Sequence, residues 1–530
     1  MNGSEPEISP SPYDRVLYPS YARAQTHPDR AATIATLLGM TPAPVQHCRF
    51  LEIGCGNGSN LCPIAFGLPS SQFLGLDSAG IPIARARDMA ANLGLKNVEF
   101  LQADILEAPG GLGEFDYIVC HGVYSWVPAK VRERIMGLCH EHLAPHGVAF
   151  ISYNAYPGNH LNQMVRSMLL YHVRGFSDPQ EQVKQGIALA RFIAESQGEP
   201  DAYRTLIKEE LDRFVRVNPN YLFHDALAEV NEPSYFHEFV EHATRHGLQY
   251  LAEADFHEML DRQFKPEVAR TLDQIAADRI EREQYLDFLK CRRFRQTLLC
   301  HEAVRLDLSL KPQLARNLVV ASSAQATGQT PNLASGTVTE FKASNGASIR
   351  TNSPISKAAF QVLSGLWPQP IAFPDLLDRA RAVLQEVPGQ KPGEREEEML
   401  ELGKTSLQGY AAGLVELHSY HPAYVDRVSD RPVASALARW QATHGDFVTT
   451  LYHQTMRLED KLARELLPLL DGTRDRNRLT ECLLELKDAR SQPAIASALA
   501  SGDHRQAMIF MAAQLEANLV KLARTGLLTG

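Results

Sequence analysis

Phe50-Leu51-Glu52-Ile53-Gly54-Cys55-Gly56-Asn57-Gly58-Ser59-Asn60 is the stretch that decides how this chain is read. Phe50, Leu51 and Ile53 predict a short buried strand, and glycines follow at the alternate positions 54, 56 and 58. A helix is expected to start at Ser59 or Asn60. Residues without a Cβ let backbone N–H groups approach a ligand, and the helix N-terminus behind them favours negative charge. A second apolar run, Phe73 to Leu76, ends at Asp77, about 20 residues past the glycines, where an acid binds ribose hydroxyls. The plain alternative is a structural strand-to-helix turn.

Spacing separates the nucleotide readings. Dinucleotide enzymes carry G-x-G-x-x-G, whereas this chain has E-x-G-x-G-x-G with Glu52 at the strand end. That pattern resembles the first motif of class I methyltransferases, whose cofactor is S-adenosylmethionine. This cofactor has no pyrophosphate, and an acid beside the glycine loop suits its ammonium group. The cofactor set expected on this basis is Glu52, Gly54, Cys55 (a small space-filler), Gly56, Asn57, Gly58, Asp77, Ser78, Asp104, Ile105 and His121.

At 530 residues the chain is too long for one ordinary core and predicts roughly two to four domains. The net charge of -9, spread along the chain, gives no support for a sequence-independent grip on phosphates, so no nucleic-acid partner is expected. The eight cysteines are scattered without a CxxC pair, which suits reduced thiols. No signal pattern and no bilayer-spanning apolar run is read. The expectation is therefore a cytoplasmic protein with neither membrane insertion nor a metal.

From residue 48 to 155, strands at Phe50–Ile53, Phe73–Leu76, Val98–Leu101, Phe115–Cys120 and Val148–Tyr153 alternate with helical runs. Such alternation predicts a doubly wound α/β sheet that binds ligands at the carboxyl ends of its strands. Asp104 and Ile105 follow the third strand, where they suit an adenine ring. His121-Gly122-Val123-Tyr124-Ser125-Trp126-Val127-Pro128 follows the fourth, and Asn154-Ala155-Tyr156 the fifth. Aromatic faces attract cations, so Tyr124, Trp126 and Tyr156 suit a sulfonium and an incoming amine. Alternatively, Trp126 only wedges a helix start ahead of Pro128. Ahead of the first strand, Tyr21, Gln25 and His27 are candidates for a lid; the competing reading makes Asp29 an ordinary N-cap.

Residues 159–250 read as a helical insertion that caps the cleft, selects substrate or carries a dimer contact. His224 within it is a structural histidine or, less simply, a base. Leu248–Phe256 and Arg293–Cys300 supply a closing strand pair, so the catalytic domain is expected over 1–305. The Ala-, Ser- and Gly-rich stretch within 306–337 reads as a linker. In 338–428 a hairpin around Asn345-Gly346 and three helices suggest a winged-helix-like domain. Its acidic cluster at 394–401 disfavours duplex DNA and suits a protein-interaction role. Residues 429–530 read as helical, with Leu469 to Arg476 (L-L-D-G-T-R-D-R) a turn held by local ion pairs.

Together the blocks Q-T-H-P-D-R, F-L-E-I-G-C-G-N-G, H-G-V-Y-S-W-V-P, N-x-Y-P-G, H-D…N-E-P-x-Y-F and L-D-G-T-R-D-R resemble bacterial class I methyltransferases with a methyltransferase regulatory domain. Well-understood members methylate lysines of an outer-membrane protein. The resemblance implies a Rossmann-like methyltransferase sheet with an inserted dimerisation region, then a mainly helical, partly winged-helix-like C-terminal half. It also implies a protein or peptide acceptor. Tyr21, His27, Tyr124, Trp126, Asn154 and Tyr156 are the residues expected to meet or orient an amine, and no residue stands out as a general base. The fourth strand is not followed by N-P-P-Y or D-P-P-Y, which counts against adenine and glutamine acceptors. A small-molecule methyltransferase and a non-catalytic cofactor-binding regulator are the competing readings.

Overall fold

The computed structural model describes residues 12–108, 111–196, 198, 201–216, 219–261, 263–328, 332–334, 336–388, 393–421, 425, 427–486 and 492–530. The loose start expected over 1–12 therefore lies, up to residue 11, outside the described residues. After a short turn, α1 (Pro12–Arg15), and α2 (Pro28–Leu37), the chain alternates through β1 (Arg49–Ile53), α3 (Leu61–Gly67), β2 (Gln72–Asp77), α4 (Gly80–Asn92), β3 (Val98–Gln102), β4 (Phe115–Cys120), α5 (Ala129–His142) and β5 (Leu143–Asn154).

Side chains of successive strand residues point to opposite faces, and the cores follow that rule. Phe50, Phe73 and Tyr117 pack under α2, α3 and α4. Leu51, Ile53 and Ile118 pack on the other face with Ile135, Met136 and Leu138 of α5. In β1 the same alternation turns Glu52 towards the α3 side, where it is buried.

The insertion is built from α6 (Asn159–Val173), α7 (Pro179–Glu195), α8 (Ala202–Arg216) and α9 (Pro219–Tyr221), followed by a wide turn at Leu222–Ala226. It has a small core of its own, including Val165, Leu169, Ile207 and Leu211. Then come α10 (Phe236–Arg245), β6 (Leu248–Glu253), α11 (Pro266–Ile275), α12 (Arg279–Lys290) and β7 (Phe294–His301). The finished sheet has the order β3-β2-β1-β4-β5-β7-β6, with β7 antiparallel to both neighbours.

A fully buried arginine anchors that last strand. Arg295 donates to Glu253 of β6 at 2.7 Å, and to Asp287 at 2.7 Å and Glu283 at 3.0 Å on α12. The guanidinium also lies 3.8 Å from the centre of the Phe236 ring. Burial opposes the charge, but the carboxylates outweigh it and hold Arg295 protonated far above its ordinary range.

The C-terminal half has two further cores. The structure departs from the linker reading of 306–337. That stretch contains β8 (Val319–Ala321) and β9 (Gln325–Ala326), and Leu318, Val320 and Ala324 are buried. Its small residues allow close packing here: β8 is the central strand of a sheet whose edges come later in the chain, and Ser322 Oγ donates to Leu414 O at 2.7 Å. Next follow β10 (Thr339–Lys342), β11 (Ser348–Thr351), α13 (Pro354–Leu366), β12 (Ile371–Ala372), α14 (Phe373–Gln385), α15 (Arg395–Ala411) and β13 (Glu416–His418). The hairpin β10–β11 turns at Gly346, whose φ of +87° suits a residue without a Cβ.

The last stretch contains α16 (Ala436–His444), β14 (Phe447–Thr449), β15 (Thr455–Arg457), α17 (Lys461–Leu466), α18 (Arg476–Glu485), α19 (Pro493–Ala500) and α20 (His504–Arg524). It is not wholly helical as expected, because β14 and β15 form a hairpin. At the L-D-G-T-R-D-R turn, Asp471 accepts from Thr473 N and from Arg474, both at 2.9 Å.

Candidate active site

The glycine loop closes over the carboxyl ends of β1 and β2. Gly54 N and Cys55 N donate to Leu76 O, and Gly56 N donates to Asp77 Oδ2 at 2.8 Å. Asp77 Oδ1 accepts from Ala79 N at 2.9 Å, so this carboxylate fixes both loops that flank the cleft. Gly54, Gly56 and Gly58 all have positive φ. A Cβ on Gly58 would stand 2.9 Å from Ala86 Cβ, whereas one on Gly56 would meet nothing within 4 Å. Gly56 thus faces open space, while Gly58 is where α3 packs on α4. Cys55 is buried against Gly75, and burial raises its thiol far above the ordinary range. Asn57 Oδ1 accepts from Ser59 N at 3.1 Å, and Ser78 is exposed with its carbonyl taking a bond from Gln102.

Glu52 is buried, and Asn60 Nδ2 donates to its Oε1 at 2.7 Å. Its other oxygen, Oε2, is buried with no hydrogen-bond partner. Burial raises this carboxyl to about 8, and the bond from Asn60 only partly offsets that. An orphaned, buried carboxylate oxygen beside an open glycine cradle fits a cationic group, as the ammonium of S-adenosylmethionine requires.

The segment before α2 lies against this cleft. Ile81 N donates to Asp14 Oδ1 at 2.9 Å, and Arg23 N to Asn60 Oδ1 at 3.0 Å. The insertion grips the same segment from the other side. Tyr221 donates to Pro19 O at 2.9 Å, and His224 Nε2 donates to Val16 O at 2.6 Å. Tyr13 stacks on the His224 ring at 4.5 Å. Of the two readings of His224 the structural one fits, since this ring fastens the N-terminal segment and burial lowers its pKa.

The three lid candidates turn elsewhere. His27 is itself the N-cap of α2, accepting from Asp29 N at 3.2 Å. It stacks on Tyr420 and lies 5.4 Å from the His453 ring. Asp29 is not the cap, as the competing reading had it. It binds His418 Nδ1 at 2.8 Å and Ser419 N at 2.6 Å from the C-terminal half. Tyr21 packs on Phe447 of β14 with ring centres 4.8 Å apart, and Gln25 donates to Asp255 at 3.2 Å. The Q-T-H-P-D-R block is therefore a clasp between the sheet domain and the C-terminal half. In the seam lies a cavity of about 240 Å³, lined by residues that include His27, Arg30, Asp255 and Tyr420.

Sequence gave no warning of His453. It lies between β14 and β15 at φ +56°, buried, and its Nε2 is 3.0 Å from Asn60 Oδ1, nearly 400 residues away in the chain. The C-terminal hairpin thus touches the side chain that holds Glu52.

At the ends of β4 and β5 the predicted residues separate. His121 is near the cleft, bonded to Ser152 Oγ at 3.0 Å and 6.2 Å from the Phe294 ring, and burial lowers its pKa to about 4. Asn154 Nδ2 donates to Asn231 at 3.2 Å, and Tyr156 stacks on His160 at 4.1 Å. Trp126 is half-buried in the turn at Tyr124–Trp126. Tyr124 corrects the expectation that it meets the substrate. It is 2% exposed, packs between Tyr153 and Phe239 in the core under α5, and bonds His242 Nδ1 at 2.7 Å. Asp104 is exposed and caps the turn Ile105–Glu107, with Ile105 at the edge of the same core. Beside Phe294 a polar recess is lined by Glu253, Asp255, Glu258, Arg292 and Gln296. Of these, Asp255 and Gln296 carried no signal in sequence, since strand reversal brings them to the cleft.

Residues 44–209 match the methyltransferase domain family, 218–301 the predicted methyltransferase regulatory domain, and 430–527 the PKMT C-terminal winged-helix domain. A Rickettsia prowazekii protein of uncharacterized function is 32% identical over 495 residues, 91% of this chain and 87% of that one. The chain belongs to the class I S-adenosylmethionine-dependent methyltransferases with a regulatory domain. A second R. prowazekii protein is 35% identical over 45% of this chain and 96% of its own length. PKMT2 from Rickettsia typhi has the same fold over 97% of this methyltransferase and 100% of its own chain, with 25% identity and a TM-score of 0.83. Its complex with AdoHcy superposes with a TM-score of 0.82 at 26% identity. The winged-helix match falls on 430–527, where the sequence reading expected helices alone, and not on 338–428.

Proposed function

We propose that this methyltransferase modifies a lysine side chain of a polypeptide. The observation that carries the proposal is the end-to-end likeness to PKMT2, C-terminal half included. A second copy of the chain is a further proposed partner: Tyr171, Phe192, Tyr203 and Leu206 on the insertion are exposed apolar side chains. Among the described residues no helix is long and apolar enough to cross a membrane.

In this reading Glu52 receives the cofactor's ammonium, the backbone at Gly54–Gly58 passes along its methionine end, and Asp77 takes the ribose hydroxyls. Asp104 and Ile105 hold the adenine edge and face, and Ser78 borders the ribose. When bound, the cofactor supplies an electrophilic methyl group. The protein positions the nucleophile, and positioning supplies a large part of the barrier reduction. His121, Asn154 and Tyr156 border the entry path of the amine. The acceptor's ammonium has a pKa of about 10.4 in water, and a cationic neighbour with partial burial lowers it, so deprotonation needs no dedicated base. His121, kept neutral by burial, adds no competing positive charge.

The test uses radiolabelled S-adenosylmethionine, purified protein and fractionated bacterial lysate. Label on a polypeptide, mapped to lysine by mass spectrometry and lost with Asp77→Ala, supports the proposal. Label confined to small molecules refutes it.

A further inference from the structure

Away from the cleft, on the face of the sheet covered by α5 and α10, three potential ligand atoms converge. His242 and His246 are one helical turn apart at the end of α10, and Glu133 projects from α5. Glu133 Oε2 lies 2.9 Å from His246 Nε2 and 3.3 Å from His242 Nε2, and all three atoms fit within 4.8 Å. The corners of a tetrahedron around zinc, with bonds of about 2.0–2.1 Å, are about 3.3 Å apart. No large rearrangement is therefore needed to bring an ion between these groups.

One of the three ligands is rooted inside the protein. The His242 side chain is 9% exposed, and its Nε2 is buried without a hydrogen bond although it points at Glu133. Its other nitrogen, Nδ1, is held by the buried Tyr124 hydroxyl at 2.7 Å. A hydrogen bond on the far nitrogen orients a metal-binding imidazole and sets its tautomer. The C-terminal end of α10 carries the negative pole of the helix, which also favours a cation. Arg132 does not occupy the position: it is paired with Glu232 and lies over the Tyr124 ring.

We propose that Glu133, His242 and His246 bind one divalent transition ion, zinc by preference, with solvent completing the coordination. Two imidazoles and one carboxylate suit zinc and disfavour magnesium or calcium, which take oxygen donors. The proposal departs from the sequence-based expectation of no metal; spacing gave no sign of the site because its residues come from helices more than a hundred residues apart. The ion joins α5 of the methyltransferase block to α10 of the regulatory block, and through His242 it immobilises Tyr124 at the end of the H-G-V-Y turn. This role is structural and does not depend on the identity of the acceptor.

The test is a zinc titration of EDTA-stripped full-length protein against a chromophoric chelator, with cobalt as a spectroscopic probe. Wild-type protein is expected to bind one zinc that His246→Ala and Glu133→Gln each weaken at least tenfold, with loss of the visible cobalt bands. Both substitutions are at partly or largely exposed side chains, and circular dichroism checks their folding. Zinc binding that is absent from the wild type at micromolar concentrations, or unchanged in His246→Ala, overturns the proposal. Binding of magnesium with equal affinity also overturns it.

Discussion

Two glycines of one loop make opposite demands, and replacing each with alanine separates folding from cofactor binding. Gly58 has φ +74°, and its Cβ would lie 2.9 Å from Ala86 Cβ, 3.1 Å from Phe100 Cζ and 3.2 Å from Cys62 Sγ. The left-handed backbone costs an alanine about 1–2 kcal/mol. Overpacking of a filled site adds about 1–3 kcal/mol. Gly58→Ala is therefore expected to destabilise the sheet domain by about 2–5 kcal/mol. Gly56 has φ +52° and no atom within 4 Å of its Cβ position. Gly56→Ala is expected to cost only the backbone share, about 1–2 kcal/mol, while its methyl enters the space assigned to the cofactor. Hydrogen exchange of β1 and β2 amides reads the stability, and calorimetry reads S-adenosylmethionine affinity. Gly56→Ala should weaken binding by tenfold or more with modest loss of protection. A Gly56→Ala protein that binds like wild type, or a Gly58→Ala protein no less protected than Gly56→Ala, refutes the reasoning.

Glu52 gives a proton-linked signature. Its carboxyl is raised by burial to about 8, so the ligand-free protein loses stability as pH rises from the ordinary glutamate range towards 8. Binding of an ammonium favours the ionised form, so cofactor binding at pH 7 should release a proton; calorimetry in buffers of differing ionisation enthalpy detects this, and Glu52→Gln should abolish it. Asp29→Asn removes the charge facing His418, whose imidazole is desolvated yet held protonated by Asp29. That His418 contribution is complete below the ordinary histidine range and fades as pH climbs through the raised value, while Asp29, held low, loses its own share only in acid. The expected cost is about 3–5 kcal/mol at pH 6, shrinking in alkali, and is read from hydrogen exchange at 416–420. Arg295→Met takes the arginine from Glu253 and Glu283, leaves Asp287 to Arg292 alone, and should destabilise the domain by about 3–5 kcal/mol. Burial raises Glu283 and Asp287, so the deficit should narrow as pH falls from 8 to 5.5; equal urea midpoints for wild type and variant at pH 8 would contradict the role given to this cluster.

The strands of the sheet were legible because each is a short apolar run beside a glycine or a charged helix start. Phe115–Cys120 has the same limits in both readings. Contacts between distant segments were not legible. Tyr124 stands in a motif that follows a cleft-forming strand, yet the turn rotates its ring into the core. His27 and Asp29 looked like parts of a lid or cap because their partners, Tyr420, His453, His418 and Ser419, are about 390–430 residues away. The hairpin β14–β15 escaped notice because two three-residue strands are too short to show an alternating pattern. Small residues at 319–324 signalled a loop and instead allow a strand to sit in the middle of a sheet.

The bond between His453 and Asn60 has a consequence for the order of events on the ribosome. The glycine loop and its strands emerge early, and their local contacts are available from that moment. The wall that His453 adds to Asn60 emerges only after 393 further residues have been made. A nascent chain can therefore assemble its nucleotide cradle well before that cradle is braced. Bracing of the methyl-donor cradle therefore waits until the segment that carries His453 has been made and has docked against Asn60.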